Sequence, residues 1–550
     1  MSVTLLASRL LHEVDPSNPD SAIHHLNDHA QEHGTKDALK SVASSAPAID
    51  WHALAPELTL AAVAILILVI DLFLKRKTSW KTSNVATIGL LASLIPVVTL
   101  AIDGTNRELF GGAYVVDNYA LALKAFFIVG AYICVLIGAD YIREGDYFQS
   151  EFWFLLTTSV LGMSALASSR DLITIFVAIE TVTIPTFVMA GWRRRDTKSN
   201  EAAIKYYLIG VMSSAIMLFG MSYVVGLTGS TMLSEIQTYF TQDNIPAIAY
   251  IAVIFTLVGF AFKISAVPFH QWTPDVYEGA PTPVTAFLSV LSKAAGIVGL
   301  TILLQFGFFG ADEVYKPILV LMVVASLIVG NFTALKQNNV VRMLAYSAIA
   351  QGGFIILPLA LLGDGPGVPL ESAIQATLIY LVVYLIANLG AFACVIAIAR
   401  RTRSATLDSY NGLGKKEPFL AVSFSIFLFS LAGIPPLAGW FAKFVMFRAA
   451  LDASNATGTV LAVIAVISSV VAFVYYAGVA KRMWLEEPGE NTEAKSAAQE
   501  SGGLLVTTGS GVSTTPALKI AIGLCAILSV VLGVLPGILG EIGELITSIS

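Results

Sequence analysis

The stretch GFAFKISAVPFHQWTPDVYEGAPTPVTAFLSVLSKAAG, residues 259–296, places charges and helix breakers inside sequence apolar enough for a membrane. Lys263 lies deep in an apolar segment that begins at Ala247, and Lys293 lies within the next apolar segment. Between the two lysines come Pro268, His270, Trp272, Pro274, Asp275, Pro281 and Pro283. A charge near the bilayer centre costs at least ~2.5–3.5 kcal/mol, and irregular backbone survives there only where protein or water surrounds it. The stretch therefore predicts a functional site within a membrane protein.

The composition of the whole chain is typical of a protein that crosses the membrane many times. Of its 550 residues, 56% are hydrophobic and only 13% are charged, whereas a soluble domain has about 25% charged residues. No GxGxxG motif, P-loop or CxxC cluster is present, and the three cysteines lie in apolar segments. Redox cofactors, cysteine metal sites and nucleic-acid binding are therefore not expected on this chain.

Hydropathy predicts an all-α polytopic membrane protein of about fourteen helices, each near the ~20 residues that a bilayer requires. The predicted helices lie at residues 54–74, 84–102, 118–141, 151–168, 171–191, 203–227, 247–268, 281–306, 316–335, 340–362, 371–399, 417–451 (interrupted), 457–480 and 517–541.

Two polar segments flank these helices. Residues 1–50 are rich in His, Asp and Glu, and we interpret them as a flexible, solvated extension without a signal peptide. His25, His29 and His33 share one helical face, so metal binding there is an open alternative. Residues 485–515 are rich in Gly, Ser and Glu and predict a flexible loop before the last helix.

The distribution of Lys and Arg between alternate loops predicts the orientation. Most of these residues fall in one set of loops, which the positive-inside rule assigns to the cytoplasm. An even number of helices then places both termini on the outer side. The interpretation is a multi-pass protein of the bacterial cytoplasmic (plasma) membrane.

A small set of charges remains inside the predicted helices: Lys124, Glu180, Lys205, Lys263, Lys293 and Lys443. Lys124 is only seven residues from Asp117 and is expected to extend, or snorkel, toward the outer surface. Lys205 follows Glu201 by one turn, so a simple i, i+4 ion pair is an alternative to a functional role. Lys263 and Lys293 have no charged neighbour on their own helices, which favours function.

A second broken helix resembles the first. Gly433, Pro435, Pro436 and Gly439 interrupt an apolar segment shortly before Lys443. Two broken helices in corresponding halves indicate a transport site between inverted repeats. We predict repeats at residues 151–306 and 316–480, after three helices at 54–141. Because each repeat has five helices, an odd number, the second copy is inverted in the membrane.

Buried lysines and a carboxylate suit proton transfer. Burial disfavours the charged form of lysine, and a nearby carboxylate restores it, so movement of either charge can load or release a proton. Weaker candidates for extending the path are Ser265, Thr273, Thr282, Ser289, Ser292, Tyr380, Tyr384 and Asn388.

Five motifs carry a resemblance to a known family. They are FKISAVPFHQWTPDVYEGAPTPVTAFLSVLSKAAG, NEAAIKYYLIG, RMLAYSAIAQGGF, LDSYNGLGKKEPFLA and LAGIPPLAGWFAKF. Together they resemble the antiporter-like subunit N of proton-pumping NADH–quinone oxidoreductase, respiratory complex I, and its counterpart in photosynthetic NDH-type complexes. The resemblance covers roughly residues 54–490.

The resemblance implies a proton-translocating membrane-arm subunit and assigns roles to individual residues. By motif, the proton relay consists of Glu180, Lys205, Lys263, Lys293 and Lys443. Lower-ranked candidates for the path are Lys124, His270, Lys336 and Gln351. Many members of the family have His where this chain has Gln351, which cannot titrate, and Val341 replaces a basic residue often found before Arg342.

The resemblance also implies partners. NADH or another electron donor, FMN, iron–sulfur clusters and quinone would be bound by partner subunits, with no cofactor on this chain. Those partners are other membrane-arm subunits and, through them, a peripheral redox arm. The alternative is a subunit of an Mrp-type cation/proton antiporter, which shares the fold. A scaffold that has lost transport is the least favoured hypothesis, because buried charges are costly to retain.

Overall fold

A computed structural model describes residues 49–74, 81–104, 106–145, 147–242, 244–362, 370–402, 404–487 and 514–547. Most of the predicted N-terminal extension (1–50) and most of the predicted loop (485–515) lie outside the described residues. From His52 onward, the described residues form one compact unit.

The described residues are largely helical, with one antiparallel hairpin, β1 (Arg107–Leu109) and β2 (Tyr114–Val116). The helices are α1 (Ala55–Phe73), α2 (Lys81–Asp103), α3 (Asn118–Glu144), α4 (Gln149–Ser168), α5 (Leu172–Ala190), α6 (Thr197–Thr228), α7 (Leu233–Phe240), α8 (Ala247–Ile264), α9 (Trp272–Gly279), α10 (Thr282–Phe306), α11 (Asp312–Ala334), α12 (Val340–Ile356), α13 (Leu370–Thr402), α14 (Pro418–Ala432), α15 (Ala438–Asp452), α16 (Ala456–Leu485), α17 (Pro516–Val534) and α18 (Gly537–Thr547).

The predicted all-α membrane architecture is confirmed. Thirteen helices in the described part of the chain are long and apolar enough to cross a membrane. The shorter apolar helix α14, followed by α15, corresponds to the interrupted crossing predicted at residues 417–451. The division into two inverted repeats stays a prediction.

Two predicted helix boundaries are wrong. The helix predicted at 247–268 ends at Ile264, and a separate short helix, α9, follows the break. The last predicted helix, 517–541, is two helices, because α17 ends at Val534 and α18 begins at Gly537. Pro536 lies between them, and proline has no N–H group to continue the helical hydrogen bonding. The hairpin and the short helix α7 were not predicted.

Burial separates central helices from peripheral ones. In the apolar stretch of α10 that could span a membrane, 100% of the residues are buried, and in those of α12 and α13 94% are buried. By contrast, only 28% of the residues in the corresponding stretch of α1 and 33% of those in α2 are buried. Helices α10, α12 and α13 therefore form the centre of the described unit, and three of the candidate residues lie on or beside them.

Candidate functional site

Lys263 lies in the last turn of α8, where the chain leaves the helix. Ser265 has a left-handed φ of 64°, the Ser265 N–H donates to the carbonyl of Phe262, and the Ala266 N–H donates to that of Ala261. This pair of hydrogen bonds is the Schellman motif that ends many helices. Pro268 follows three residues later and has no N–H group with which the helix could continue. The local sequence therefore stops α8 immediately after its lysine.

The Lys263 ammonium is buried against α5. Its Nζ donates to Thr183 Oγ1 at 2.8 Å. Thr183 follows Glu180 by three residues, so the two side chains share one face of the helix. Glu180 is only partly buried, and its Oε1 accepts from Ser214 Oγ at 2.5 Å. Lys263 and Glu180 attract each other electrostatically, while the hydrogen bond itself goes to a neutral hydroxyl.

Lys293 is buried in the central helix α10. It follows a π-helical turn, Leu288–Ser292, and its Nζ donates to the carbonyl of Ala348 on α12. Two glycines allow neighbouring helices to approach Lys293 and Lys263 closely. A Cβ atom at Gly352 would lie 3.6 Å from Lys293 Nζ, and one at Gly296 would lie 2.9 Å from Lys263 Cβ. Glycine on α10 and on α12 therefore lets the backbone of each helix approach one of the two lysine side chains closely.

Polar groups of α13 contact the π turn before Lys293. Tyr384 Oη donates to the carbonyl of Ser289 at 3.1 Å, and Asn388 Nδ2 donates to Ser289 Oγ at 2.8 Å. A π turn disturbs the regular helical hydrogen bonding and is frequently found at functional sites. Hydrogen-bonding groups thus continue from Lys293 toward α13.

Gln351 connects α12 with the second break. Its Nε2 donates to the carbonyl of Leu431 at 3.1 Å, and its Oε1 accepts from Tyr380 Oη at 2.7 Å. Leu431 is in the last turn of α14, where the Gly433 N–H donates to Ser430 and the Ile434 N–H donates to Phe429. The second break therefore uses the same Schellman motif as the first, with Gly433 at a left-handed φ of 90°.

Lys443 lies beyond the second break, on α15. Its Nζ donates to the carbonyl of Ala432 at 2.9 Å and to Ser469 Oγ at 3.2 Å, and it lies 4.6 Å from the ring centre of Phe354. Ala348, Gln351 and Phe354 are spaced by three residues along one face of α12. Ala348 contacts Lys293, Gln351 contacts the second break, and Phe354 contacts Lys443.

We define the central axis as Glu180, Lys263, Lys293, Gln351 and Lys443. All but Glu180 are buried, and all three lysines donate to neutral oxygen atoms. No single helix contributes more than one of the five residues. Hydrogen bonds between helices that are distant in sequence connect them: Lys263 reaches α5, Lys293 reaches α12, and Gln351 and Lys443 both reach the end of α14.

Lys205 lies apart from this axis. Its side chain is 41% exposed, and its Nζ is 2.7 Å from both Glu201 and Asp275. The i, i+4 pair with Glu201 that the sequence predicts as an alternative is therefore formed. Sequence reasoning missed the second carboxylate, because Asp275 is 70 residues away in the chain.

The snorkelling predicted for Lys124 is wrong. Its side chain is 0% exposed, and its Nζ is 3.0 Å from Glu57 Oε1. Glu57 lies in the first turn of α1 and was not among the charges that the sequence predicted inside membrane helices. The signal that points to it is a carboxylate at the beginning of a helix that starts from the same side of the membrane as α3.

Two lower-ranked candidates lie at the margins. His270 is half-buried in the loop of the first break, and Lys336 is exposed between α11 and α12. Neither has a described hydrogen bond to a member of the central axis.

Comparison with known proteins is consistent across most of the chain. The family model for the transmembrane part of NADH:quinone oxidoreductase and Mrp antiporter subunits matches residues 169–470. NAD(P)H-quinone oxidoreductase subunit 2 of Gloeobacter violaceus is 37% identical over 87% of this chain and 90% of the relative. NADH-quinone oxidoreductase subunit N of Heliobacterium modesticaldum is 36% identical over 90% of this chain and 98% of the relative.

A solved structure agrees with these relatives. A chain of respiratory complex I from Thermus thermophilus has a TM-score of 0.70 and 29% identity, covering 88% of this chain and 98% of that one. The family match at residues 169–470 includes all five residues of the central axis. The chain belongs to the family of antiporter-like transmembrane subunits found in NADH:quinone oxidoreductases and Mrp antiporters.

Proposed function

We propose that this chain is a proton-translocating membrane-arm subunit of a complex I-type NADH–quinone oxidoreductase. The names of the relatives support the type of assembly. The observation that carries the proposal is the central axis, in which Lys263, Lys293 and Lys443 are buried yet donate to neutral oxygens. Among the described residues none of these lysines forms a direct salt bridge, so each can lose its proton without breaking one.

The axis suggests how protons move. A buried ammonium is costly, so a lysine of the axis gains or loses its proton when a neighbouring charge changes. Glu180 supplies the negative charge at one end, beside Lys263. Gln351 cannot titrate, but its amide joins Tyr380 to the carbonyl of Leu431 and so holds hydrogen-bonding groups between Lys293 and Lys443. Water bound at the two breaks would complete the path.

The redox chemistry belongs to partner subunits in this proposal. NADH or another electron donor, FMN, iron–sulfur clusters and quinone are bound there. This chain contacts the other membrane-arm subunits and the lipid of the bacterial cytoplasmic membrane, with both termini on the outer side. Reduction of quinone then drives changes in charge and hydration along the axis.

The proposal is tested with Lys263→Met and Glu180→Gln in the assembled enzyme in membrane vesicles. We expect each to lower proton translocation coupled to quinone reduction by roughly tenfold or more, because a positioned proton-transfer group is lost. Lys416→Met, which removes an exposed lysine at the end of the short helix Leu413–Lys416 before α14, is the matched control. Full proton-to-electron stoichiometry in both axis variants contradicts the proposal.

The Mrp-type antiporter remains the alternative, because the matching family includes such subunits. The relatives that we compared over most of the chain are instead quinone oxidoreductase subunits. The same vesicles distinguish the two functions. Proton movement that requires an electron donor supports the oxidoreductase, whereas sodium-dependent proton exchange without a donor supports the antiporter.

A further inference from the structure

A cluster of ion pairs surrounds the short helix α9, which follows the first break. We call Lys198, Lys205, Asp275, Glu278 and Arg342 the α9 clamp. Lys205 Nζ is 2.7 Å from Asp275 Oδ2, and Arg342 Nη1 is 2.9 Å from Asp275 Oδ1. Arg342 Nη1 is also 2.9 Å from Glu278 Oε2, and Lys198 Nζ is 3.4 Å from Glu278 Oε1.

The clamp holds α9 from two sides. Both of its carboxylates belong to α9, and each is paired with one lysine of α6 and with the arginine of α12. The ends of α9 are attached as well. Trp272 Nε1 donates to the carbonyl of Phe262 at 3.2 Å, and Arg193 Nη2 donates to that of Gly279 at 2.5 Å. The position of α9 therefore depends on α6 and α12.

Helices α6 and α12 also contact residues of the central axis. Helix α6 carries Ser214, which donates to Glu180, and α12 carries Ala348 and Gln351. The bond from Trp272 reaches the residue immediately before Lys263. A shift of α9 is thus transmitted to the last turn of α8, where the lysine lies.

Lys205 differs in kind from the lysines of the axis. It is 41% exposed and contacts two carboxylates. Loss of its proton would leave Glu201 and one oxygen of Asp275 without their cation. A relay lysine must be neutral for part of its cycle, whereas these contacts suit a charge that stays in place.

We infer that Lys205 is a positioning residue, whose fixed positive charge holds α9 through Asp275 and so keeps Lys263 in place, rather than a member of the proton relay. The inference rests on the proposed function. It assigns the same positioning role to Asp275 and Arg342, which the sequence did not single out as site residues.

The experiment separates a fixed charge from a moving proton, using the assembled enzyme in vesicles. Arginine keeps the charge but does not release its proton. We expect Lys205→Arg to retain coupled proton translocation, Lys205→Met to lower it by about twofold or more, and Lys263→Arg to lose it.

A second readout does not require pumping. Amide hydrogen exchange in α9 should rise in Lys205→Met but not in Lys205→Arg, because only the first removes one of the two cations that Asp275 contacts. Loss of pumping in Lys205→Arg equal to that in Lys205→Met, or unchanged exchange and pumping in Lys205→Met, overturns the inference. Full pumping by Lys263→Arg with faster exchange in Lys205→Met contradicts the proposed relay and leaves the clamp supported.

Discussion

At the scale of single residues, Lys124 and Glu57 form a charged pair outside the central axis. Lys124 Nζ also donates to Tyr114 Oη at 3.0 Å, and Glu57 Oε1 accepts from Ser164 Oγ at 2.6 Å. Burial removes water from both charges, so such a pair adds little stability over an apolar pair, yet removal of one partner alone is costly. The pair holds α1, α3 and α4 together while both charges are present.

We therefore expect Lys124→Met to lower the free energy of unfolding by about 3–5 kcal/mol, because the buried carboxylate of Glu57 loses its cation. Adding Glu57→Gln should restore part of that loss. Denaturant unfolding of the purified chain in mixed micelles measures both, as a double-mutant cycle. Strictly additive effects of the two substitutions would show that the pair is not coupled.

At the scale of elements, the two broken helices share one construction. Each ends in a Schellman motif with a left-handed residue, Ser265 or Gly433, and each lies beside a buried lysine. The second break also depends on close packing. A Cβ atom at Gly439, in the first turn of α15, would overlap the carbonyl oxygen of Ser430 on α14.

Gly439→Ala should consequently force α14 and α15 apart at the second break. We expect a loss of about 1–3 kcal/mol in the free energy of unfolding from overpacking, and weaker coupled pumping because Lys443 moves. Gly478→Ala on α16 is the control, since nothing lies within 4 Å of a Cβ atom there. Both variants are measured by unfolding in micelles and by proton translocation in vesicles. Equal stability of the two would contradict this account of the break.

At the scale of the whole molecule, burial and charge predict how the chain sits in the membrane. The peripheral helices α1, α2, α6 and α16 expose many large apolar side chains. In a membrane such surfaces are covered by lipid tails or by apolar faces of neighbouring subunits. Loop charges predict that the hairpin faces outward and that the short helix Leu413–Lys416 faces the cytoplasm.

Cysteine labelling tests this orientation, because the native cysteines Cys134, Cys394 and Cys525 are buried. We expect a membrane-impermeant thiol reagent applied to intact cells to label Glu108→Cys, in the hairpin, and not Lys416→Cys. Inside-out vesicles should give the opposite result. The reversed pattern in both preparations would invert the predicted topology.

Local sequence was sufficient for the class of protein, the positions of its helices and the two breaks. A membrane helix is indicated by a continuous apolar run, and a proline interrupts the helix in which it lies, so both effects can be predicted without the tertiary structure. The same holds for the burial of Lys263, Lys293 and Lys443, which lie in strongly apolar segments. The helix after the first break was missed, because α9 has only eight residues and its sequence is rich in turn-forming residues.

Packing alone decided which partner each charge has. Lys263 donates to a hydroxyl 80 residues away, and Lys205 contacts a carboxylate 70 residues away. Lys124 and Lys205 are both lysines near the beginning of a membrane helix, yet one is enclosed with Glu57 and the other is exposed beside Asp275. The difference arises because neighbouring helices, distant in sequence, determine whether a charge meets water, a carboxylate or a neutral oxygen.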